Sequence, residues 1–260
     1  MMKLFDLIKK IEVTFMLKDS CDWDFVGWQV LATKKDFPIK SVLITLDVTN
    51  SVIEAAIKDD IKLIICHHPF IFAKNINDAT INQTKKILYQ KLLKHQINVY
   101  VLHTNFDTNL QGMNWLIAKD LKLNDLKFFD RDKLAVIGSY SNLTLSEVIN
   151  NLKNYFAFEI IKVITNNLQT KINYVVLSSG AGGSIIETIS NNDDISLLIT
   201  GEMKWHQELE ARDKNISVIV LGHNMEEKFV NFITNFLLSD PIIKKNIVIK
   251  QHFFPKAIFI

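Results

Sequence analysis

The segment "IICHHPF" (64 to 70) sets His67 and His68 side by side after an aliphatic run, and "HTNFDTN" (103 to 109) sets His103 four residues before Asp107. "GHNMEEKF" (222 to 229) repeats that spacing with His223 and Glu227, and "ITGEMKWHQ" (199 to 207) with Glu202 and His206. Imidazoles and carboxylates are the donors that borderline divalent cations favour, and imidazole also moves protons near neutral pH. Taken singly, each motif has a structural explanation. A histidine pair can be a solvated strand end, and Asp107 reads as the N-cap of a helix carrying Trp115, Leu116 and Ile117. Asn224 with Glu227 three residues on fits a capping box, and Glu202 near a helix start is favoured by the dipole. Taken together, they bring donors from separate strand ends with no thiolate set to compete. Pro69 disfavours the α conformation at His68. The adjacent imidazoles should therefore diverge and suit two ions better than one. A shared carboxylate such as Glu227 could bridge ions about 3.5 to 4 Å apart, the spacing of two-metal hydrolytic sites.

The elements that must position these residues are legible as alternating patterns. Aliphatic runs at 41–48, 61–66, 97–103, 172–179, 195–200 and 216–222 read as strands buried on both faces. Periodic segments at 81–96, 142–156 and 224–239 read as helices, which gives an α/β protein with mostly parallel or mixed sheets. In such sheets ligands bind outside the carboxyl ends of the strands, and His67, His68, His103 and His223 each follow one of these runs. The polar stretch "KLNDLKFFDRDK" (122 to 133) reads as a crossing between two related lobes. "SSGAGGS" (178 to 184) could form an anion-binding nest or a plain glycine turn, and it lacks the Lys-Ser/Thr of a P-loop.

Of 260 residues 48% are hydrophobic, enough for real cores, and the formal charge of +2 gives no global reason to expect nucleic acid or an acidic membrane as the main partner. Cys21 and Cys66 are too few for a disulfide framework, which points to a reducing cytoplasm. The N-terminal "MMKLFDLIKKIEVTFML" is broken by Asp6, Lys9, Lys10 and Glu12, so it reads as an amphipathic helix rather than a signal peptide. No apolar run approaches the roughly 18 residues of a membrane span. A protein with no membrane association is expected.

"HHPFIF", "HTNFDTN", "ITGEMKWHQELEA" and "LGHNMEEK", with "WDFVGWQV" (23 to 30) and "SSGAGGS", occur in an order and spacing that resembles the Nif3-like family of dinuclear-metal hexameric proteins, often labelled GTP cyclohydrolase 1 type 2 homologs. The chain resembles the short form, without a central insertion. The resemblance implies two similar α/β lobes, the second inserted into the first, with 1–126 plus 216–260 as the metal-binding lobe and 127–215 as the inserted one. It implies a toroidal homohexamer and two divalent ions per chain, drawn from zinc, iron, manganese, cobalt or nickel. Carried over by position, the metal ligands are His67, His68, Asp107, His223 and a bridging Glu227, while His103 and His206 become candidate proton-transfer groups. The expected function is then a metal-dependent hydrolase acting on a nucleotide-like or other small substrate. The alternative is a non-catalytic, ring-shaped binding or regulatory protein, with single-stranded nucleic acid or another protein as partner.

Overall fold

Each of the six aliphatic runs forms a strand in the computed structural model, which describes residues 2–190 and 194–256. The two large sheets are mixed with parallel strands at their centres, as the alternation of strands and helices predicts, and Met2–Lys3 pairs antiparallel with Pro38–Ile39. Two compact units result: Met1–Phe106 with Glu227–Pro255, and Asp107–Glu226 with Lys256–Ile260.

In the first unit the sheet runs in the order Val248–Gln251, Ser41–Thr45, Leu63–Cys66, Asn98–Val101, Gly27–Val30. The first four strands are parallel, and the last is antiparallel to its neighbour. Leu63–Cys66 and Asn98–Val101 are buried at every residue, as a sheet covered on both faces requires. Register then decides what lies beyond them. Thr45 pairs with Cys66 and Cys66 with Val101, so the three strands end level. Asp47, His67, His68 and His103 therefore leave the sheet at a single edge.

The helices of this unit form where apolar spacing and caps agree. Leu4–Glu12 turns Leu4, Leu7, Ile8 and Ile11 inward and leaves Asp6 and Lys9 in solvent. Asn50–Lys58 and Gln83–Lys94 start where the Thr49 and Asn82 side chains accept the N–H groups of Val52 and Lys85. Lys228–Ser239 buries Phe229, Val230, Ile233 and Leu237.

The sheet of the second unit runs Asn124–Phe128, Val136–Thr144, Lys171–Ser178, Ile195–Thr200, Ser217–Val220, Lys162–Ile164. Lys171–Ser178, Ile195–Thr200 and Ser217–Val220 are parallel, and the flanking pairs are antiparallel. Ser178 pairs with Thr200 and Thr200 with Val220, so Ser179, Gly201 and Leu221 again step off a level edge. The stretch 122–133, which reads as a crossing, holds the edge strand Asn124–Phe128. Edge strands carry polar residues on their open side, which blurs the alternation that marks a strand. The helix expected over 142–156 begins at Leu145, because Thr144 ends a strand and forms a capping box with Glu147. Among the described residues no helix is long and apolar enough to cross a membrane.

Candidate metal centre

Three imidazoles gather at the carboxyl edge of the first sheet. Ring centroids of His67 lie 5.2 Å from His68 and 5.1 Å from His103, and His68 lies 5.9 Å from His103. Each ring is held by its Nδ1 atom. That atom lies 2.8 Å from Leu102 O in His67, 2.9 Å from Asp47 Oδ1 in His68 and 2.9 Å from Asp24 Oδ1 in His103. A carbonyl or an ionised carboxylate only accepts, so Nδ1 must be the N–H donor in each ring. In the neutral ring, the form that binds metal, the lone pair is then on Nε2, the arrangement typical of histidines that bind metal.

The carboxylates behind two of these rings are held ionised. Burial opposes ionisation of Asp24, but hydrogen bonds from His103 and from Thr104 outweigh it and hold the carboxyl at about 2. Asp47 is likewise lowered: burial opposes, and His68 with the nearby Lys85 prevails.

Asp107 is the last residue of the helical turn Thr104–Asp107 and is 7% exposed. Glu226 lies in the 3₁₀ turn His223–Glu227 and is 5% exposed. By the division into units both belong to the second, yet in the chain Asp107 directly follows Phe106 and Glu226 directly precedes Glu227 of the first. Two sets of ligand atoms arise, His67 with His103 and Asp107, and His67 with His68 and Glu226, each lying within 4.8 Å of one another. His223 adjoins the second set: its Nε2 is 3.0 Å from Glu226 Oε2, and its Nδ1 is 2.6 Å from Glu202 Oε1. Gly180 closes over the same carboxylate, since a Cβ built there would come within 2.7 Å of Glu226 Oε1. The glycine-rich segment is thus a tight turn, with Gly180 at φ +58°.

The donor set fits a borderline divalent cation: three imidazole nitrogens preset as lone pairs, two buried carboxylates and no thiolate. Cys66 is directed toward carbonyls, with Sγ 3.4 Å from His68 O, and burial pushes its thiol far up. His67, His68 and Asp107, expected as ligands, fall within these sets, and so does His103, expected as a proton-transfer group. Among the described residues, neither set contains Glu227, His223 or His206. Glu227 instead accepts the Phe254 N–H at 2.7 Å. His206 is exposed on the helix Trp205–Asp213, with Nε2 3.9 Å from Glu187 Oε1.

The capping roles that competed for these residues are absent. The helix after Asp107 begins at Met113 behind Gly112, and the helix after Glu227 begins at Lys228 without a side-chain cap. Sequence reasoning passed over Glu226 and the anchors Asp24 and Asp47, and it read Glu202 as a carboxylate at a helix start rather than as the partner of His223. For Asp47 a signal existed, an acidic residue inside the otherwise aliphatic run 41–48, and the strand in fact ends at Thr45, on the same edge as His67.

A family profile described as Duf34/NIF3 (NGG1p interacting factor 3) matches residues 2–254. A protein of Mycoplasmopsis pulmonis named GTP cyclohydrolase 1 type 2 homolog is 29% identical over 261 residues, covering 95% of this chain and 97% of its own. A Schizosaccharomyces pombe protein named NIF3 homolog is 30% identical over 237 residues, covering 85% and 84%. Among solved structures, a Bacillus cereus protein related to NIF3 superposes with TM-score 0.86 at 18% identity, over 100% of this chain and 99% of its own. A Staphylococcus aureus hypothetical protein gives TM-score 0.84 at 22% identity, over 99% of both chains. These structural likenesses establish a shared fold.

Proposed function

Because this chain belongs to the Duf34/NIF3 family, we propose that it is a dinuclear divalent-metal protein that hydrolyses a nucleotide-like or other small substrate. One observation carries the reading: two sets of ligand atoms, each within 4.8 Å, that share the buried His67. His67, His103 and Asp107 would hold one ion, and His68 and Glu226, with His223 beside them, the other. Bound there, such ions supply water acidified toward neutral pH and polarise the group under attack.

The chain's own residues do the rest. Leu102 O, Asp47 and Asp24 orient three imidazoles so that no ring has to turn on binding. With the Nε2 atom of His103 given to an ion, His206 is the residue we assign to proton transfer, since its exposed ring exchanges protons with solvent and has Glu187 alongside. The nucleotide-like substrate follows the name of the Mycoplasmopsis pulmonis relative. The order of the units along the chain, in which 107–226 interrupts the other, supports reading the second lobe as an insertion. A toroidal homohexamer in the cytoplasm completes the proposal.

The test is turnover over a panel of nucleotides, phosphoesters and peptides, with each candidate ion restored to stripped protein. Asp107→Ala should abolish metal-stimulated turnover while the protein still assembles, and unchanged turnover would overturn the reading. If the wild type turned over nothing in the panel, the non-catalytic binding role would replace it.

A further inference from the structure

In the tryptophan- and glycine-containing segment 23–30, Asp24 does more than back the ring of His103: it makes four hydrogen bonds. Its side chain is fully buried. Oδ1 accepts from His103 Nδ1 at 2.9 Å and from the Phe25 N–H at 2.7 Å. Oδ2 accepts from the Thr104 N–H at 3.0 Å and from Thr104 Oγ1 at 2.6 Å. Thr104 Oγ1 in turn accepts the Cys21 N–H at 3.0 Å, which ties segment 21–25 to the turn from both sides. Trp23 stands edge-on to His103, with centroids 6.2 Å apart.

We infer that Asp24 is the positioning residue of the ion site at His103: its carboxylate fixes the ring with Nε2 outward and pins the start of the turn Thr104–Asp107, so that His103 and Asp107 meet one ion together. The physics is specific to the ring. An imidazole hydrogen-bonded at Nδ1 to a carboxylate is held in one tautomer and one orientation, and is a stronger donor at Nε2 than one backed by a neutral group. His67, backed by the Leu102 carbonyl, lacks that charge, so the donor strength of this set depends on Asp24. Because Oδ2 grips both donors of Thr104, at the first position of the turn, the same carboxylate also sets where the turn begins. The inference rests on the ion-holding half of the proposed function and is independent of whether the protein hydrolyses anything.

Cobalt(II) alone is a sufficient probe, since its visible absorption reports the ligands around it. In the full-length protein Asp24→Asn keeps the shape and an acceptor for Nδ1 but removes the charge. It should weaken cobalt binding tenfold to a hundredfold, the range for losing an outer partner of a ligand, and alter the spectrum. A variant that melts at a lower temperature yet keeps wild-type affinity and spectrum would show that Asp24 only ties down its own segment, and would overturn the inference. Nitrogen-15 spectra of the metal-free wild type give a second measurement that needs no variant: His103 should be the Nδ1–H tautomer, and the Nε2–H tautomer would overturn the inference as well. Should the wild type bind no cobalt, the ion-binding reading falls and this inference with it. Bound cobalt with unchanged affinity in Asp24→Asn removes this inference alone.

Discussion

Glu226 and Glu227 are neighbours with opposite expected behaviour. Glu226→Gln should weaken ion binding by at least about tenfold, given that even outer partners of ligands carry that much. Glu227→Gln keeps an oxygen for the Phe254 N–H and should leave ion content at the wild-type level, as elemental analysis of the two purified variants would show. Equal losses in both would mean that the sets of ligand atoms are wrongly drawn. The distinction was not legible in the sequence, because a spacing of four from His223 to Glu227 matches an α-helix. Here the chain turns as a 3₁₀ helix, in which residues three apart eclipse. Glu226 therefore faces His223, and Glu227 turns away to the segment at Phe254. The placement of His67 and His68 was legible because residues that directly follow a strand need no knowledge of the helix type, whereas Asp107, which closes the turn Thr104–Asp107, came from the family resemblance.

Elements fix the sites through close backbone contacts as well as side chains. Gly201 follows the strand Ile195–Thr200, and a Cβ there would meet Gly180 O at 2.6 Å and Gly180 Cα at 3.1 Å. The contact is backbone on backbone, with the Glu202 N–H donating to Gly180 O at 2.8 Å, so no flexible side chain can yield. Gly201→Ala should cost about 1–3 kcal/mol, the range for overpacking a filled site, read as a lower midpoint in urea. A midpoint within error of the wild type would show that the two turns have room to part. The central strands were legible because burial on both faces leaves an unbroken aliphatic run, as in Leu63–Cys66. The short edge strands Lys162–Ile164 and Val248–Gln251 were not, since the first is only three residues long and three of the four residues of the second face solvent, where propensity says little.

At the scale of the whole molecule, ion binding and stability are linked. A ligand that binds only the folded state at a hundred times its dissociation constant stabilises it by about 2.7 kcal/mol. Stripped wild-type protein should therefore melt several degrees higher when zinc or cobalt is restored, and Asp107→Ala should gain much less. A melting temperature indifferent to both ions would argue against a site formed on folding. The two-unit organisation was only partly legible. Three level parallel strands recur in each unit, which the repeated aliphatic runs foreshadow, whereas the passages between units run through short turns that carry no linker composition. The anchored imidazoles have one more consequence. Rings already fixed at Nδ1 have little freedom left to follow an ion of the wrong radius or geometry, so discrimination among cations of equal charge would come from rigidity: the ion that suits the standing distances is kept, and the others meet donors that do not bend toward them.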